Sequence, residues 1–242
     1  MGRVIRACGL LTAALSAVLV AGCGSAEPAT ELPEVPELSP LGPVVAAAPV
    51  TAAPETDSDR LRAGLLGDAN LPPGFTALPP RADAGTAAAS PTNPAECVKV
   101  LSPLGAQYSG ALAQASTQYA GPNFSSIDID AASYPRDAVA GAFSAVQEIL
   151  RRCAQYSGAD ATDIPVEYRI GGLAQPPAGD AVAAFQVRTT SEGLTLGSSV
   201  AIVQVGGTVL QVAVTAPEAV DPEVLSALTA AQVRRLTGVA GP

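Results

Sequence analysis

From residue 58 onward two hydrophobic periods alternate along the chain, and the switches between them mark out the elements. Leu61, Leu65 and Leu66 follow Ser58-Asp59, either of which can cap a short helix, and Gly67 stops it. Leu71-Pro72-Pro73-Gly74-Phe75 cannot continue a helix, and Phe75 is expected to plug the core. Residues 79–92, rich in alanine, proline and glycine, read as a loop. Asn93-Pro94-Ala95-Glu96 predicts a helix start, with Asn93 as cap, Pro94 in the first turn and Glu96 reaching back, so Cys97 falls in that first turn. Residues 125–130 alternate apolar and polar and read as a strand whose Asp128 and Asp130 share the outer face. The strongest helix spans about 135–154, where Val139, Phe143, Val146, Leu150 and Cys153 recur at helical spacing and form the buried stripe.

Beyond Pro165 the period shortens to two. Strands are predicted over 166–170, 181–190, 199–205 and 208–214. Gly206-Gly207 between the last two suits a two-residue hairpin turn, with Ile202, Val205, Val209 and Val212 apolar and Gln204 and Gln211 on the wetter face. Asp221-Pro222-Glu223 starts a last helix that buries Val224, Leu225, Leu228, Ala231 and Leu236. Helices before and after an antiparallel meander describe an α+β domain, a sheet with helices packed on one side.

The chain ahead of residue 58 has no such periods. Arg3 and Arg6 followed by an apolar run to about Ala21 read as a secretory leader, too short for a comfortable membrane span of about 20 residues. Its end, Val20-Ala21-Gly22-Cys23, resembles the bacterial lipobox. That resemblance implies a cut before Cys23 and acylation of its thiol, so that Cys23 becomes a lipidated N-terminus. Leader length, position and all four box residues favour this over a chance cysteine or one awaiting a disulfide. Prolines 28, 33, 36, 40, 43, 49 and 54, with acids between alanines, predict an extended tether. The division is therefore 1–22 signal peptide, 23–58 lipidated N-terminus and Pro-rich tether, and 59–242 folded domain. The expected place is the outer face of the cell membrane.

Composition narrows the chemistry. The 242 residues are 48% apolar but only 4% aromatic, which predicts a core of small side chains. No histidine is present, so Ser-His-Asp and Cys-His hydrolysis, histidine-zinc sites and histidine acid catalysis are excluded. Lys99 is the sole lysine, which leaves little room for a serine-lysine route. The net charge is -9, and losing Arg3 and Arg6 with the leader makes it about -11. Such a surface lacks the basic stripe that nucleic acid requires and gains nothing from an anionic membrane face.

Cys8 leaves with the leader, and in an exported chain the two cysteines other than Cys23 are most simply paired, Cys97 to Cys153, across 56 residues. Two reactive thiols or a metal pair are the alternative. Asp128 with Asp130 is the one tidy carboxylate pair, about 7 Å apart on a strand, as an inverting glycosidase could use; a solvated strand face explains it better. Asp160, Asp163 and Glu167 lack the spacing and glycine of a calcium loop. Tyr108, Tyr119 and Phe124 could form a docking surface or pack on the domain.

Leu65-Leu66, Leu71-Pro72-Pro73-Gly74-Phe75, Pro94-Ala95-Glu96-Cys97, Tyr134-Pro135 opening a helix that ends in Cys153, Gly179-Asp180 and Val205-Gly206-Gly207-Thr208-Val209 together resemble the extracellular sensor domains of PknH-type receptor serine/threonine kinases and the actinobacterial lipoproteins that carry such a domain. The resemblance spans about residues 60–238. It implies an α+β domain with a cleft beside the sheet for a small ligand, no catalytic residues, and a helix-linking disulfide at Cys97 and Cys153. A second disulfide and a tryptophan ahead of the helix-end cysteine are missing here, and Arg151-Arg152 stand in that region. No ligand-contact residue is therefore carried over. The functional expectation is a tethered, non-catalytic sensor domain without cofactor or metal that binds a small or amphiphilic envelope ligand. The alternatives are a protein-docking adaptor of the envelope, with a protein partner, and a lipid carrier.

Overall fold

A computed structural model describes residues 37–79, 91–217 and 220–238. The chain divides into two compact units, 1–36 and 37–242, and the description concerns the second. The expected leader and the Cys23 lipidation site lie outside the described residues, as does most of the expected 79–92 loop.

Among the described residues nine strands form one antiparallel sheet. They are β1 (Thr76–Ala77), β2 (Thr92–Asn93), β3 (Ala113–Ala120), β4 (Ser126–Ser133), β5 (Gln155–Ala159), β6 (Pro165–Gly172), β7 (Ala181–Ser191), β8 (Leu194–Val205) and β9 (Thr208–Ala216), in the order β1-β3-β4-β9-β8-β7-β6-β5-β2. After β4 the chain crosses one face as helix α3 (Val139–Arg152) to the far side of the sheet. It then walks back through four hairpins until β9 pairs with β4, Ile129 opposite Val212. The last hairpin turns at Gly206-Gly207, where Val205 faces Thr208 and Gly206 takes φ +55, the left-handed region that glycine enters without steric cost.

The α+β class and the antiparallel meander stand as expected; the helices, expected on one side, cover both. Val200 and Ile202 of β8 join a core under α3 with Phe143, Val146 and Leu150. Ala201 and Val203, which alternate with them, join a second core on the opposite face. That second face is covered by α1 (Ser58–Ala63), the turn after it and α4 (Pro222–Thr237), through Leu61, Leu65, Leu66, Leu225 and Leu228. The central strands are buried on both faces, which is why residues 200–203 read as a continuous apolar run.

Several local expectations change. Asp57, not Ser58 or Asp59, caps α1, accepting from Asp59 N at 2.9 Å and Arg60 N at 3.1 Å. The helix expected from Asn93 is a 3-10 helix, Ala95–Leu101; Asn93 pairs in β2 instead, and Pro103 leaves too little chain for regular turns. A one-turn helix α2 (Leu104–Gln107) follows. The stripe of α3 and the Asp221 cap of α4 fall where the pattern puts them, Asp221 Oδ1 accepting from Glu223 N at 2.9 Å.

Half of the expected tether is seated on the domain. Leu41, Val45, Ala47 and Val50 pack against the α3-side core. Gln204, expected on the wetter face, is fully buried beneath this segment. Its amide accepts from Ala48 N at 2.8 Å and donates to Ala48 O at 2.9 Å.

Candidate functional site

The α3-side face of the sheet is only half roofed. Next to the roofed part lies a cleft of about 420 Å³ between the sheet and the 100–103 segment. Strand alternation sets its floor: Ser116 and Gln118 of β3, Asp128 and Asp130 of β4, and Gln211 and Thr215 of β9 fall on one face because Ser116 pairs with Asp130 and Asp130 with Gln211. Phe185, Val187 and Val200 continue the floor as an apolar end, and Val100, Leu101, Ser102 and Pro103 form the overhang. The cleft therefore runs from hydrogen-bonding groups to apolar surface across five strands.

The two carboxylates are held by their neighbours. Asp130 Oδ2 accepts from Leu104 N, the first residue of α2, at 2.5 Å. Asp128 accepts from the Gln118 amide and, at 3.0 Å, from Ser126 Oγ. The expected pair thus shares a face, and among its partners are a backbone N–H, a side-chain amide and a hydroxyl.

Behind the cleft Tyr134 is buried, its hydroxyl donating toward Tyr108 O at 3.1 Å and Leu104 O at 3.3 Å. Burial, with the negative charge of Asp130 second, pushes its pKa up from 10.0 to about 12. A raised pKa stabilises the fold in full below the unfolded value near 10 and loses that contribution as pH rises towards 12. Phenolate absorbance should accordingly lag in the folded chain and rise together with unfolding over that interval. Ionisation of all five tyrosines near pH 10 without unfolding would contradict this burial.

The other singled-out residues separate. Cys97 and Cys153 are fully buried and joined in a disulfide that ties the 95–101 helix, which carries Val100 and Leu101 of the cleft, to the end of α3. Asp160 closes the β5–β6 turn, accepting from Thr162 N at 2.7 Å, Thr162 Oγ1 at 2.8 Å and Ile164 N at 3.0 Å; these bonds, that from Ile164 first, hold its carboxyl below the usual range. Among the described residues no group of three or more Cys, Asp or Glu is arranged to hold a metal ion. Tyr119 is buried with its hydroxyl on Leu66 O at 2.5 Å, Tyr108 packs edge-on against Tyr134, and Phe124 alone is exposed, at 91%. The three do not form one surface.

The sequence reading missed β3, and with it Ser116 and Gln118, because Ala113–Ala120 has too few large apolar residues to stand out. It also missed Gln147 and Gln232 and put Gln204 on the wetter face, though all three are buried and each is hydrogen-bonded to the backbone of a distant segment. Their signal was a polar side chain at an apolar-period position.

The architecture is similar to that of the extracellular domain of PknH from Mycobacterium tuberculosis, which aligns at a TM-score of 0.58 and 15% identity over 76% of this chain and 98% of that one. At that identity the likeness concerns the fold. A protein of unknown role from Mycobacterium smegmatis aligns more loosely, at a TM-score of 0.37 and 14% identity over 69% of this chain and 92% of that one. No family model and no curated protein sequence matches the chain. Among the described residues no helix is long and apolar enough to cross a membrane.

Proposed function

We propose that this chain is a cell-envelope lipoprotein, anchored through Cys23, whose domain is a non-catalytic sensor module that binds a small or amphiphilic envelope ligand in the cleft. The observation that carries the reading is the cleft's gradient, hydroxyls, amides and carboxylates over β3, β4 and β9 passing into Phe185, Val187 and Val200. An amphiphile fits such a floor with its polar head on the amides and its apolar part towards the core. The volume, about 420 Å³, falls within the usual range for small-molecule sites of roughly 300–1,000 Å³. The buried disulfide accords with an oxidising, exported setting, and the sensor-domain fold with a recognition role.

Lipid carriage has less support: the apolar cavity beneath the 41–45 segment holds about 190 Å³, below that range of roughly 300–1,000 Å³. The adaptor reading draws on Phe124, in the β3–β4 turn, and Leu194, the first residue of β8, exposed at 91% and 77% at one end of the sheet.

Native mass spectrometry of the chain after exposure to an envelope lipid extract tests the proposal. The expected result is a discrete bound mass lost on unfolding, with Gln211→Leu weakening retention about tenfold, the loss of one or two hydrogen bonds. An apo spectrum against every extract would sink the ligand reading and turn attention to the adaptor.

A further inference from the structure

The segment 39–54 crosses the α3-side face with a regular footing. Ser39 O accepts from Gly172 N at 2.7 Å, Gly42 O from Arg151, and Val45 donates to and accepts from the Gln147 amide at 2.8 and 3.0 Å. Ala48 does the same with Gln204 at 2.8 and 2.9 Å. Within residues 39–48 the anchored positions are 39, 42, 45 and 48, every third one, the repeat of a polyproline II chain; beyond them Ala52 O accepts from Arg136 Nε at 3.0 Å. Prolines 40, 43 and 49 fall between these positions, so none removes an N–H that the groove uses.

The groove is shaped for main chain. Gln147 and Gln204 are 5% and 0% exposed, and each presents both halves of its amide to one residue of the segment, as a neighbouring strand would. A Cβ on Gly171 would lie 2.5 Å from Leu38 Cβ, and one on Gly172 would lie 2.3 Å from Pro40 O, so β6 admits the segment only because both are glycine.

The segment itself is lightly held. Leu41, Val45, Ala47 and Val50 are partly buried and none is fully so, and Ser39 makes the one bond to a strand's backbone. Partial burial and anchoring mainly through side chains mark a unit that opens below the global unfolding free energy.

We propose that the groove formed by Gln147, Gln204, Arg151 and Gly171-Gly172 is a docking site for extended, proline-punctuated peptide, and that residues 39–48 are its resident, releasable occupant, exchangeable with the same segment supplied in trans. Recognition runs through the main chain at every third residue, with small apolar contacts between. Release adds residues 39–48 to the chain between Cys23 and the domain. That consequence rests on the lipoprotein reading; the docking does not.

The test uses the full chain, the variant Val45→Pro with Ala48→Pro, and a labelled peptide of residues 37–54. Proline suits the extended conformation and removes the two donated N–H groups together with part of the Val45 apolar contact. Hydrogen exchange in the unaltered chain should show segment amides protected at least tenfold over the free peptide and opening while β7–β9 stay protected. In the variant the segment should exchange at free-peptide rates with the sheet still protected. The variant should then bind the labelled peptide saturably, at least tenfold more tightly than the unaltered chain does, and adding Gln204→Leu should reverse that gain. Free-peptide exchange in the unaltered chain, opening only with global unfolding, loss of sheet protection in the variant, or an emptied groove that takes up no peptide would each overturn the proposal.

Discussion

Replacing Cys97 and Cys153 together by alanine is expected to lower stability by about 4 kcal/mol, the loop-entropy value for a 56-residue separation. The bond ties the 95–101 helix to the end of α3 beside the buried packing of Val100; Glu96 and Arg152 approach at 3.6 Å but are each more than half exposed, so that pair contributes little. The same segment supplies Val100 and Leu101 to the cleft, so ligand retention should fall along with stability. Urea unfolding monitored by circular dichroism gives the first quantity and native mass spectrometry the second. A stability loss under about 1 kcal/mol would mean that packing of Val100 and Leu104 already holds this wall.

Phe143→Ala should cost about 3–5 kcal/mol, comparable to the disulfide. Phe143 is fully buried in the middle of α3, against the core that contains Val200, Ile202 and Phe185. In a chain with four phenylalanines and no tryptophan, few other side chains can fill the space it leaves. Glu148→Ala on the exposed side of the same helix should shift stability by no more than about 0.5 kcal/mol, since its contact with Arg152 is 3.9 Å and solvated. Equal losses for the two would mean that α3 is held by helix propensity and not by its buried face.

The elements with large, regularly spaced apolar residues were legible. The stripe of α3, the Asp221-Pro222-Glu223 start of α4 and the Gly206-Gly207 hairpin carry local chemistry that needs no partner to be read. Asp128 and Asp130 were likewise placed on one strand face by period alone, and the structure makes that face the cleft floor. Ser116 and Gln118 stayed hidden because β3 is built from small and polar residues whose strand character comes from pairing with β4. Proline density at 40, 43 and 49 indicated an extended chain, and the chain is extended; that it is docked depends on glutamines more than 100 positions away.

By itself, then, the sequence determined local matters: the α+β composition, the antiparallel order of the last strands, the helix stripes, the absence of histidine chemistry and the extended character of residues 39–54. Tertiary structure alone decided which face each helix covers, which polar side chains share a cleft, and which buried amides meet a distant backbone. Periodicity reports that a face is buried without naming what buries it. A buried Gln147, Gln204 or Gln232 becomes intelligible only once the segment that satisfies its amide lies against it.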